Sequence, residues 1–174
     1  MGLRYEKLDA ETRSLMIEEI NMDIKDNSMY FSNYLNQQGV QLWPSITLNA
    51  AKSGTDDSLS QEISDQGLLK DQVERRKPTG GITMAKVPYT APTTLAEAQF
   101  NMYYMRALAR RAVANNTQLV VYRGKEVAYA RPESEQLIGT NFDPQVLLDE
   151  LRRTKGVNPD IPMPLPNSGL CVRL

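Results

Sequence analysis

The stretch VVYRGKEVAYARPESE, residues 120–135, holds the residue types most suited to chemistry in this chain. Arg123 and Gly124 follow an apolar run ending at Tyr122, and Arg131 leads into a carboxylate pair, Glu133 and Glu135. A guanidinium at a strand end, close to a Glu-x-Glu pair, is a means of gripping an anion. The rest of the composition narrows what such a group can do. The 174 residues include no His and a single Cys, Cys171. Ser-His and Cys-His nucleophile systems are therefore excluded. The commonest zinc ligand is missing as well. An enzyme built from this sequence has to work with carboxylates, Lys, Tyr, Arg or a bound Mg²⁺. Acidic pairs such as Glu18 with Glu19 and Asp56 with Asp57 read as solvated helix faces. KPTGG lacks the spacing of a phosphate loop and reads as a turn. The sequence identifies no catalytic residue, metal site or cofactor.

An Arg after a strand with a later Glu-x-Glu is also the pattern of ADP-ribosyltransferases. Here Pro132 stands only nine positions after Arg123, which leaves no room for the strands and Ser-Thr-Ser segment of that family. A strand, a turn at Gly124 and a helical turn from Pro132 account for the stretch better, with Glu133 and Glu135 near the positive end of that turn.

Basic residues are the stronger signal. Arg75, Arg76 and Lys77 form one group, Arg106, Arg110 and Arg111 a second, and Arg123, Lys125 and Arg131 a third. Arg152, Arg153 and Lys155 make a fourth. Arg75, Arg76, Lys77, Arg106, Arg110, Arg111, Arg123 and Arg131 are the expected contacts to an anionic partner or a subunit interface. Were the groups to converge, they would form a phosphate-binding surface. A pI near 5.6 and the lack of a recognised nucleic-acid motif favour protein contact over nucleic acid. The net charge of −1 also hides an asymmetry: residues 1–72 carry six Lys and Arg against twelve Asp and Glu, and residues 73–174 carry fourteen against nine. An acidic front and a basic back can attract each other within one molecule or between copies.

The elements that must position these groups follow from periodicity and punctuation. Asp9 caps a helix whose apolar face includes Met16 and Ile20. A short helix from Asn27 or Ser28 is expected to stop at Gly39, and another to start with Pro44 in its first turn and end at Gly54. A further helix is capped by Thr55 or Asp56 and closed by Gly67. Two extended pieces near 72–77 and 81–87 flank Pro-Thr-Gly-Gly and predict a hairpin or arm. Thr94 and Glu97 suit a capping box for a long central helix, with Pro88 and Pro92 keeping the chain extended before it. A strand, a Gly-containing turn and a second strand or edge follow over residues 117–133. Asp143 caps a last helix with Pro144 at its first position and Gly156 at its stop. The Pro-rich tail runs extended, and GLCVRL is able to add a strand to a sheet edge.

These readings give an α+β protein of one folded domain. It comprises a helical subregion (1–71), a hairpin or extended arm (72–92), an α/β core with a central helix on a small sheet (93–156) and an extended tail (157–174). No segment approaches the roughly 18 to 20 apolar residues of a membrane span, and the start lacks a secretory signal. Met-Gly opens like a myristoylation site, but Glu6 stands where Ser or Thr is required. LAEAQFNMYYMRALARRA, ARPESEQLIG with DPQVLLDELR, and PNSGLCVRL together resemble an uncharacterised group of bacterial and prophage proteins of similar length. The resemblance covers most of the chain and implies a bacterial or mobile-element setting, without an activity or site. The expectation is a non-enzymatic structural or interaction protein, cytoplasmic or within a phage-related particle. It would form homo-oligomers, or join other protein subunits, through its arm and tail, without membrane contact. Nucleic-acid binding through the Arg groups is the alternative, and a His-free, Mg²⁺-dependent enzyme a further one.

Overall fold

A computed structural model describes residues 2–128 and 131–174. The expected α+β architecture is present. In chain order the elements are α1 (Ala10–Lys25), α2 (Gln37–Ser53), α3 (Asp56–Asp65), β1 (Gln72–Arg76), β2 (Ile82–Lys86), α4 (Ala91–Ala114), β3 (Leu119–Arg123), α5 (Pro132–Leu137), β4 (Asn141–Phe142), α6 (Pro144–Thr154) and β5 (Leu170–Arg173). The helix α4 is the axis of the molecule and packs against α1, α3 and α6. Every residue from Gln99 to Ala109 is buried, because neighbouring elements close around the whole circumference. This explains why its apolar residues do not form one narrow stripe.

Caps placed from the sequence are largely in position. The carboxylate of Asp9 accepts from the Thr12 amide at 2.9 Å, and that of Asp143 accepts from Val146 at 2.9 Å. Thr55 and Ser58 form a capping box on α3. Three expectations are corrected. No helix starts at Asn27 or Ser28; the segment to Leu35 is irregular, held by Trp43 Nε1 donating to the Tyr30 carbonyl at 2.9 Å. Gly39 starts rather than stops a helix: Asn36 caps α2 by accepting from the Gly39 amide at 2.8 Å, and Pro44 lies inside that helix. A Cβ on Gly39 would stand 2.3 Å from the Leu68 carbonyl oxygen, so glycine serves a close approach there. Lastly, α4 begins at Ala91 with Pro92 in its first turn, where the missing amide hydrogen costs nothing. The Thr94–Glu97 box does not form, and Glu97 pairs with Lys125 instead.

The larger sheet has the order β4-β3-β5 and is antiparallel throughout, with Val121 opposite Val172 and Leu119 opposite Phe142. The tail therefore ends as a strand of the protein's own sheet, with Leu170, Cys171 and Val172 wholly buried. Asn101 of α4 secures it, donating to the carbonyls of Pro166 at 3.0 Å and Leu170 at 2.8 Å and accepting from Cys171 Sγ at 3.3 Å. The end of the tail is thus part of the core, adding a strand to the edge of its own sheet as GLCVRL suggested. The strand or edge expected after Gly124 is absent over residues 124–128, and Tyr129 and Ala130 lie outside the described residues. Gly124 does not adopt positive φ. Its role is contact: a Cβ there would lie 2.7 Å from Cys171 Sγ and 3.1 Å from Leu3.

The hairpin β1–β2 forms a separate two-stranded sheet. Its tip places Gly80 at φ +90° and Gly81 at φ +84°, a region that residues with a Cβ rarely occupy. The Lys77 amide donates to the Gly81 carbonyl at 3.1 Å across the tip, and at the base Val87 donates to Asp71 at 2.9 Å.

Candidate interaction surface

The basic residues do not converge on one open surface. The structure separates them into a buried ionic node, a pair at the sheet edge and an exposed arm.

The node lies between α1, α4 and α6. Arg106 is completely buried, and all three of its guanidinium nitrogens are used. Nε donates to Glu19 Oε2 at 2.8 Å, Nη1 to Asp23 Oδ2 at 2.7 Å and Nη2 to Asp23 Oδ1 at 3.1 Å. Arg152 donates to both Glu19 oxygens, at 3.0 and 2.6 Å, and Lys155 Nζ donates to Asp23 Oδ1 at 3.0 Å. Arg110 spans Glu18 at 2.7 Å and Glu19 at 3.3 Å. Arg111 holds Asp9 at 2.9 Å and Glu11 at 2.6 Å, and donates to the Thr12 hydroxyl at 2.8 Å. The acidic front and basic back therefore meet within one molecule. Arg106 is not available to an outside partner, and Arg110 and Arg111 are committed to α1.

Burial opposes charge on Glu19 and Asp23, but the cations beside them prevail. The Arg152 hydrogen bonds and Arg106 charge hold Glu19 below the usual carboxylate range, and Arg106 and then Lys155 do the same for Asp23. The Tyr103 hydroxyl, which donates to Asp23 Oδ2 at 3.0 Å, is pushed far up by burial and then by the Asp23 charge. Around Arg106, Glu19 and Asp23 the node is filled with partners and structural in character, while Arg111 Nε at its margin is buried without one. Sequence reasoning did not identify Glu19 and Asp23 as its acceptors. Their spacing of four, matched by Arg106 and Arg110 on α4, places complementary pairs on two helix faces and was the available signal.

At the sheet edge, Arg123 and Glu135 of the opening motif pair with each other, and Arg123 also donates to the Ser168 carbonyl at 3.3 Å. The motif is a brace between β3, α5 and the tail. Arg131 is exposed at the start of α5.

The arm remains. Arg75, Arg76 and Lys77 are all exposed on it, with Lys86 on the facing strand. Register places Gln72 with Lys86, Glu74 with Met84 and Arg76 with Ile82 on one face, and all six are exposed. Ile82 is 63 % and Met84 56 % exposed, and Tyr89 beyond the base is 96 % exposed. No helix or other strand packs extensively on either strand of the arm. Among the described residues, no group of three or more acidic or Cys side chains converges as metal ligands would, and no helix is long and apolar enough to cross a membrane. Comparison with known protein families, curated proteins and solved structures finds no match to the chain.

Proposed function

We propose that the protein is a non-enzymatic structural or interaction protein that self-associates through its hairpin arm. The setting is the bacterial cytoplasm or a phage-related particle, following the sequence resemblance. One observation carries the reading: a two-stranded sheet stands off the core with Ile82 and Met84 exposed on a face otherwise made of charged and polar groups. An isolated hairpin is marginal in water, and exposed apolar strand faces with free edges invite another chain. Burying Ile82 and Met84 would contribute about 1.5–3 kcal/mol each. The tail is committed to the core, so the arm alone carries the association.

Light scattering on the full chain over a concentration series tests this. The expected result is a concentration-dependent oligomer that Ile82→Asp with Met84→Asp weakens at least about tenfold, equivalent to about 1.4 kcal/mol. A wild-type chain that stays monomeric throughout, or an oligomer indifferent to the double variant, sinks the proposal. The arm cations support a second reading, nucleic-acid binding through Arg75, Arg76 and Lys77. It predicts affinity for single- or double-stranded DNA that falls steeply with salt and weakens on Arg75→Ala. A flat salt response removes it.

A further inference from the structure

The two edges of the hairpin arm are not equivalent. Lys77 donates its amide to the Gly81 carbonyl at 3.1 Å, and Val87 donates to the Asp71 carbonyl at 2.9 Å. In an antiparallel ladder, pairs that exchange hydrogen bonds alternate with pairs that do not. With Glu74 opposite Met84 in register, the bonded pairs are therefore the odd-numbered ones, such as Val73 with Ala85 and Arg75 with Thr83. The amides and carbonyls of the even-numbered residues turn outward: Gln72, Glu74 and Arg76 on one edge, Ile82, Met84 and Lys86 on the other. Among the described residues, no third strand and no side chain takes up the outward groups of Ile82, Met84 and Lys86. An edge of this kind is a template for another strand.

We infer that the occupant is the arm of a second copy, with β2 pairing antiparallel to its own mate across a two-fold axis at Met84. This pairing rests on self-association through the arm and gives that association its geometry. A two-fold axis normal to the sheet keeps each residue and its mate on the same face, and outward groups have to meet outward groups. The register that uses all of β2 sets Met84 opposite its mate, Ile82 opposite Lys86 and Thr83 opposite Ala85. No like charges oppose each other in it, and Ile82 and Met84 of both copies gather on one face. The β1 edge has no equivalent register. Centring it on Glu74 opposes two carboxylates, centring it on Arg75 opposes two guanidinium groups, and centring it on Val73 brings Lys70 opposite Arg76. Like charges directly opposite each other destabilise a sheet. Because β2 meets itself, the contact is closed by symmetry. The charged β1 edges are left outside, where they discourage further strands. The product is a dimer with one continuous sheet made of two hairpins, not an open array.

Residue-resolved amide hydrogen exchange on the full-length wild-type chain, run beside light scattering over one concentration series, tests the pairing. In the associated state the Ile82, Met84 and Lys86 amides are expected to exchange at least about tenfold more slowly than in the dilute monomer. Those of Glu74 and Arg76 are expected to be unchanged. Met84→Pro removes an outward N–H without removing any bond between β1 and β2, and is expected to abolish the dimer. Glu74→Pro, the matching change on the other edge, is expected to leave it intact. An associated chain whose Ile82 and Met84 amides exchange as in the monomer overturns the pairing and leaves association through the arm standing. Protection of both edges, or of the β1 edge alone, overturns it in favour of an open array or a β1 contact. A chain that stays monomeric throughout overturns both readings. The wild-type exchange pattern decides even where a proline variant unfolds the hairpin.

Discussion

Arg106 is held by a fork of three nitrogens on two carboxylates and is wholly buried, out of reach of bulk solvent. Removing one member of a buried charge network leaves the others uncompensated. Arg106→Ala is therefore expected to destabilise the fold by about 3–5 kcal/mol. Arg106→Lys rescues little, because an ammonium cannot reproduce the planar fork. Urea denaturation reads both variants through Trp43, the single tryptophan, which is fully buried. Gly124 sets a second test. Gly124→Ala brings a methyl group against Cys171 Sγ and is expected to cost about 1–3 kcal/mol. The same substitution in a Cys171→Ala background costs less, since the nearer of the two clashing atoms is gone. Equal costs in both backgrounds would show that contact to be unimportant.

Among the elements, those defined by local chemistry were legible in the sequence. Asp9, Thr55 and Asp143 caps, the glycine-tipped hairpin and the strand that carries Tyr122 all depend on residues adjacent in the chain. The elements misread were decided by distant atoms. Gly39 answers to the Leu68 carbonyl, the segment before it to the Trp43 indole, and Glu97 to Lys125. The same division runs through the candidate surface: the arm and its cations were legible, whereas the burial of Arg106 depended on how α1 and α6 enclose α4. The arm also makes a prediction of its own. Asp71 and Val87 are joined by a hydrogen bond of 2.9 Å, so a short Gly-Ser link can replace residues 72–86 without parting the ends. Its thermal midpoint is expected to match that of the full chain within a few degrees, since a 1 kcal/mol change moves a chain of this size by about 2–4 °C. A collapse in stability would mean that the arm is part of the core.

For the molecule as a whole, the charge asymmetry of the sequence is a folding device closed within one chain. Folded-state pKa values of Glu19 and Asp23 lie below their ordinary 4.5 and 3.8. For groups depressed in this way, the stabilisation is present above the unfolded values and is lost as pH falls through the folded ones. Stability should hold near neutrality and decline steeply below those ordinary values, and Glu19→Gln should flatten part of that decline in acid titrations of the unfolding free energy. The placement of β5 has a consequence for how the chain comes to be folded during synthesis. Residues 10–114 can assemble α1 to α4, yet one side of α4 waits, with Asn101 unmatched, until Pro166 to Val172 have been translated. At roughly 5–20 residues per second, that interval lasts several seconds. Through it the nascent chain shows an apolar helix face that only its own last strand is shaped to cover, which marks the moment when a chaperone would be needed most.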